Sequence, residues 1–193
     1  MKTCALFIML VLLISGCLQN KKSHLINKVN TDTEKKSYFP VTSFLKGEII
    51  SIKQSGINPI KIIYKNGIPD TTWLKLEDLE REFSPFLNPV IDSNNLISWF
   101  KENAFFDQTL GTYTFMYEPY TSLPDSMTLR RYDVYLNAET NKVKRIYIEK
   151  EQGQSMQQLT WLAGKWARIL MLTSKNNKEI QQEEINIIWN FTE

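Results

Sequence analysis

The stretch TYTFMYE, residues 112–118, sets Tyr113, Phe115 and Tyr117 at alternate positions between Thr112, Thr114 and Met116. Successive side chains of an extended chain point to opposite faces, so a period of two marks a strand with one buried and one wetted side. The period continues toward the C-terminus. Arg131 to Leu136 and Lys142 to Glu149 flank the turn-rich segment 137–141, and Gln157 to Trp161 and Trp166 to Leu172 flank Leu162-Ala-Gly-Lys165. Glu184 to Trp189 ends the series with Ile185, Ile187 and Trp189 on one side. Six short strands joined by turns read as an antiparallel meander, with one face buried and the other solvated.

Turn lengths set the expected registers. If Leu136 pairs with Lys142, Asp133 falls opposite Arg145 as a cross-strand ion pair. A loop of four residues at 162–165 places Trp161 opposite Trp166 on one face of their hairpin, with Gly164 supplying the positive φ. Such aromatic pairs are ordinary core material. With Trp73, Trp99 and Trp189 they could instead line a groove for a sugar, a lipid or a partner strand. Arg130 and Arg131 with Lys142, Lys144 and Arg145 make one hairpin basic, either as a solvated face or as a contact for an anion or lipid headgroup. Trp161, Trp166, Arg131 and Arg145 are therefore the candidate binding surface.

Upstream of the meander the period lengthens. Val41, Phe44, Leu45, Ile49 and Ile52 recur at helical spacing behind Pro40, with Gly56 as the stop and Gly47 as an internal cost of about 1 kcal/mol. Asn66-Gly67 between Ile60–Lys65 and Ile68–Leu74 signals a type I′ hairpin, and Pro69 assigns its second strand to an edge. Leu76, Leu79, Phe83, Phe86 and Leu87 predict a helix ending near Pro85. Asp92-Ser93 can cap another that carries Leu96, Ile97, Phe100 and Ala104. The buried face of the meander needs a cover, and the N-terminal helices are available for it. The expected fold class is α+β, with N-terminal helices and a hairpin packed on a C-terminal antiparallel β-meander in a single domain over 38–193.

The first sixteen residues have a different character. Lys2 precedes an apolar run from Ala5 to Ile14 and the small residues Ser15-Gly16, the three parts of a secretory signal. A bilayer span needs about 20 apolar residues, more than this run supplies. Ile14-Ser15-Gly16-Cys17 resembles the bacterial lipobox. The resemblance implies a signal peptide at 1–16, cleavage before Cys17, a diacylglyceryl thioether on that cysteine, and a further acyl chain such as palmitate on the new amine. Two or more chains suffice for stable anchoring, at roughly 0.8 kcal/mol per buried methylene. Cys4 leaves with the signal, so the mature chain has no second thiol for a disulfide.

Residues 18–37 contain no aromatic residue and five lysines, a composition that cannot bury enough apolar surface to offset its ordering entropy. With Cys17 they are read as the lipidated cysteine and a flexible tether, 17–37. The whole outline is similar to uncharacterised envelope lipoproteins of Gram-negative bacteria. In layout alone it is also similar to lipoprotein carriers, where a half-barrel sheet wraps over helices. Leu18 rather than aspartate follows the cysteine, which by the same resemblance implies the outer membrane, facing the periplasm.

Composition excludes more chemistry than it suggests. Apolar residues make up 42% of the chain, so it can bury a core. The formal charge of +2, or +1 once Lys2 is lost, gives no reason to expect nucleic acid. His24, the single histidine, lies in the tether, which removes a histidine base, a Ser-His-Asp triad and a histidine metal site from the domain. Acylation of Cys17 would remove thiol chemistry, and no phosphate-binding glycine loop or calcium loop is present. No catalytic residue, cofactor or metal is expected. Asp92, Glu102, Asp107, Glu118, Asp125 and Asp133 are the remaining candidates for a carboxylate pair of the glycosidase kind, and nothing in their spacing selects two.

Three functions stay open: a membrane-anchored envelope module that binds or supports a protein partner, a carrier or sensor of an apolar ligand, and a hydrolase that uses carboxylates. The first needs an open sheet edge or exposed patch, the second an apolar cavity, and the third converging carboxylates.

Overall fold

Strand follows strand through most of the chain in the computed structural model, which describes residues 37–175 and 178–192. The expected signal segment, Cys17 and all but the last residue of the expected tether lie outside the described residues. Helix α1 spans Val41–Ser55, and the hairpin β1 (Ile60–Lys65) and β2 (Ile68–Trp73) follows it. A 3₁₀ turn at Leu76–Asp78 leads into three short helices, α2 (Leu79–Glu82), α3 (Ser84–Leu87) and α4 (Ser93–Leu96). The meander then runs through β3 (Phe100–Asp107), β4 (Thr112–Pro119), β5 (Leu129–Asn137), β6 (Val143–Gln152), β7 (Ser155–Leu162), β8 (Trp166–Lys175) and β9 (Lys178–Ile188). All nine strands form one antiparallel sheet in the order β2-β1-β9-β8-β7-β6-β5-β4-β3.

The fold is therefore mostly β, and α+β describes it only loosely. The Asn66-Gly67 hairpin forms as expected, with positive φ at both residues, but it does not sit on the sheet as a separate cover. It extends the sheet, because β1 pairs with β9 from Ile60↔Ile188 to Lys65↔Glu183. Pro69 lies in the edge strand β2, where its missing N–H disturbs no ladder.

The second capped helix is also shorter than expected. It stops after one turn, and Phe100–Asp107 is a strand paired with β4 from Phe100↔Pro119 to Asp107↔Thr112. Phe100 and Ala104 suit either period, and the neighbouring ladder decides for strand. The helix expected to start at Leu76 and end near Pro85 instead breaks at Phe83, whose backbone is not helical, and resumes with Pro85 in the first turn of α3. Proline is tolerated there because that N–H would have no helical partner.

Two registers differ as well. The turn between β5 and β6 is wider, closed by Asn137 N–H to Lys142 O and Asn141 N–H to Asn137 O. Leu136 consequently pairs with Val143, and an irregularity beside Tyr135 sets Asp133 opposite Tyr147 and Tyr135 opposite Arg145. At the next aromatic hairpin the loop has three residues, Ala163-Gly164-Lys165, so Leu162 pairs with Trp166 and Trp161 with Ala167. One residue of register sends the two tryptophans to opposite faces.

The core lies on the face reached by α1. Val41, Leu45, Ile49 and Ile52 of α1 share one buried cluster with Phe83, Phe86, Ile146, Ile148, Leu159 and Trp161. Trp161 is fully buried, its ring centroid 4.8 Å from Phe83, 5.4 Å from Phe86 and 4.9 Å from Trp189. Tyr117 and Tyr132 stack at 4.2 Å. Polar ties complete the attachment. Glu48 of α1 accepts from the Gly164 N–H at 2.9 Å and from the Trp161 indole at 3.4 Å, and Thr42 accepts from the Ile91 N–H at 2.7 Å. No helix among the described residues is long and apolar enough to cross a membrane.

Candidate functional site

The sheet's second face carries no covering element among the described residues, and the registers order its side chains into rows. Tyr135, Arg145, Leu162, Trp166, Ile188 and Ile60 lie side by side across β5, β6, β7, β8, β9 and β1. The adjacent row reads Asp133, Tyr147, Thr160, Arg168, Asn186 and Ile62. One end of this face is thus rich in arginine and tyrosine, and the other is apolar.

At the polar end the central group is Asp133, which is 1% exposed although it stands on the open face. Arg131, two residues away on the same strand, covers it. Its Nε donates to Oδ1 at 3.0 Å and its terminal nitrogen to Oδ2 at 2.8 Å, and the Tyr135 hydroxyl donates to Oδ2 at 3.2 Å. Planar forks of this kind are strong and directional. The bonds to Asp133 hold the Arg131 guanidinium above its usual pKa.

Burial raises the Tyr135 phenol, the Asp133 charge adds to this, and Arg145 opposes it. Burial and then the Glu149 charge raise the Tyr147 phenol, whose hydroxyl donates to Glu149 at 3.0 Å. Both phenols therefore remain protonated donors at neutral pH.

Arg145 lies over the Tyr135 ring, 3.9 Å from its centroid, a cation–π contact. Arg168 projects from β8 and is exposed. Neither makes an ion pair among the described residues, whereas Arg131 and Arg130 do, with Asp133 and with Glu151. An open recess of about 370 Å³ lies among Arg131, Asp133, Tyr135, Arg145, Tyr147, Thr160 and Arg168. It offers cationic forks and hydroxyls.

The candidate surface divides accordingly. Arg131 and Arg145 come together at this recess, and Trp166 stands on the same face beside Leu162, half-buried. Trp161 leaves the set for the core. Arg130 points elsewhere, to Glu151 and the Met127 carbonyl, and Lys144 borders a neighbouring recess with Arg145.

The carboxylates have separate tasks. Asp107 accepts the Thr109 and Leu110 N–H groups of its turn, Glu118 meets Asn103 at 3.2 Å, and Asp133 serves Arg131. The backbone N–H of Asp92 is bound by the Asn95 side chain at 3.3 Å in the one-turn helix α4. No group of three or more His, Cys, Asp or Glu able to hold a metal occurs among the described residues.

Sequence reasoning missed Tyr135, Tyr147, Thr160 and Arg168. The i, i+2 spacing of Arg131, Asp133 and Tyr135, and of Arg145 and Tyr147, was a usable signal, but Arg168 required the registers across β7. Lys150 was missed too. It faces the core side, 7% exposed, and its ammonium donates to the carbonyls of Pro85 and Asn88, tying that loop to β6. Burial pushes its pKa down to about 8.

The chain matches no known protein-family model, no curated protein and no solved structure.

Proposed function

We propose that this chain is a lipid-anchored module of the bacterial cell envelope, held through acylated Cys17 and binding an envelope partner on the uncovered sheet face. In this reading the N-terminal helices cover one face of an α+β domain and leave the other for recognition. One observation carries it: the open face gathers Arg131, Arg145 and Arg168 next to the apolar row of Leu162, Trp166 and Ile188, with nothing packed over them among the described residues. Arginine and tryptophan are the side chains that dominate binding energy at protein surfaces. The outer membrane, facing the periplasm, is the proposed location, on the lipobox and on Leu18 after the cysteine.

An apolar-ligand carrier has less support, since the space between α1 and the sheet is filled by the rings of Phe83, Phe86, Trp161 and Trp189. A hydrolase has less still, because Asp107, Glu118 and Asp133 are already engaged by a turn N–H, by Asn103 and by Arg131.

The test places a photoreactive phenylalanine at position 166 in cells, with a matched probe at Ile50, which is exposed on α1. A discrete adduct from position 166 and none from position 50 is expected. Equal adducts from both, or none from 166, would refute the binding face. Labelling with a fatty acid checks the anchor separately: label on Cys17→Ser equal to wild type would end that part.

A further inference from the structure

We propose that Arg145 and Arg168 form a clamp for a phosphate group, completed by the hydroxyl of Thr160. This rests on the reading of the uncovered sheet face as the binding face. Arg145 on β6 and Arg168 on β8 flank β7, and strands two apart in a sheet stand about 9.5 Å from one another. Both line the same recess, with Thr160 of the intervening strand at its floor.

The ligand class follows from which donors are already engaged. Arg131 is spent on Asp133, whose two oxygens accept three bonds from it and a fourth from Tyr135. One carboxylate is thus saturated by one guanidinium fork and one hydroxyl. Arg145 and Arg168 have no carboxylate of their own among the described residues, and their two forks call for an anion with more oxygens. A phosphate monoester or inorganic phosphate presents at least three, which serves two guanidinium groups and a hydroxyl at once.

The Glu149 carboxylate lies beside the site but is held by the Tyr147 hydroxyl at 3.0 Å. The recess is open, so the phosphate can be free or can be the head of a larger molecule, and Trp166 with Leu162 continues from it as an apolar surface for the remainder.

Calorimetric titration of the full chain in detergent tests this, with inorganic phosphate as one probe and short-chain soluble phosphatidic acid as the other. Phosphatidylcholine of the same chain length, whose phosphate is a diester, is the control. Saturable binding of phosphate or phosphatidic acid is expected, weakened at least tenfold in Arg145→Gln and in Arg168→Gln and unchanged in Lys165→Gln, which lies outside the recess. Binding of both probes with similar affinity assigns the site to the phosphate itself, and clearly tighter phosphatidic acid assigns it to a lipid head.

Absence of binding to either probe, or equal binding by wild type and both arginine variants, overturns the clamp. Unfolding midpoints of the two variants within a degree or two of wild type show that the loss is local. If the adduct from position 166 persists while phosphate fails, the ligand class falls and the binding face stands. If both fail, the face itself is wrong.

Discussion

Replacing Trp161 by alanine should cost far more than replacing Trp166, although the two share a hairpin and differ by five positions. Trp161 is 0% exposed and touches three aromatic rings at centroid distances of 4.8–5.4 Å. A tryptophan side chain buries roughly 200 Å², and at about 25 cal/mol per Å² its removal from water contributes about 5 kcal/mol as an upper bound. Buried Trp→Ala changes lie at about 3–5 kcal/mol, because the cavity left behind closes only in part. Loss of the indole donor to Glu48 adds little, since that carboxylate keeps the Gly164 N–H.

At about 2–4 °C per kcal/mol for a domain of this size, Trp161→Ala should lower the midpoint by about 6–20 °C. Trp166 is half-buried on the open face, and Trp166→Ala should cost about 1 kcal/mol or less. Thermal and urea unfolding of both purified variants, followed by near-ultraviolet circular dichroism, checks this. Equal losses, or a larger loss for Trp166→Ala, would show that the register Leu162↔Trp166 is wrong.

Lys150 carries a pH dependence with a definite sign. Its pKa in the folded chain, about 8, lies below the unfolded value near 10.4, so between these pH values the unfolded chain binds more protons. Stability should rise from pH 8 to about 10 by up to roughly 3 kcal/mol and then fall as unfolded tyrosines ionise, since burial keeps Tyr117 and Tyr132 protonated in the folded chain. Lys150→Met should flatten the rise, and a persistent rise in that variant would assign it to another group. Glu48→Ala should cost about 1–2 kcal/mol in urea unfolding by stranding the Trp161 and Gly164 donors, with faster hydrogen exchange at Gly164. Glu48→Gln retains an acceptor and should recover most of both effects.

Local chemistry made a large part of the molecule legible. Period-two alternation over 112–118 and 184–189 marked strands because a half-buried ladder requires it. Asn66-Gly67, Gly56 and Gly164 marked reversals because each adopts positive φ. The single histidine, His24, and the scattered carboxylates narrowed the chemistry to be read from the chain. The partners of those strands lay beyond local reading. The pairing of β1 with β9 joins residues 60–65 to 183–188, and no nearby residue signals an interaction across so much chain.

Phe100–Asp107 carried a pattern fit for helix or strand, and only the ladder offered by β4 settled it. A turn one residue longer at 137–142, together with the irregularity beside Tyr135, moved Asp133 from Arg145 to Tyr147, and a turn one residue shorter at 163–165 moved Trp166 away from Trp161. Turn length and side-chain period together set which face a residue takes, and an error of one position inverts the answer. The sequence by itself determined most of the strands and reversals, and it placed its one histidine at position 24, upstream of them. The tertiary structure decided which strands meet, and through those registers it assembled Arg131, Arg145 and Arg168 on one face, a convergence that exists only once β5 to β8 are hydrogen-bonded side by side.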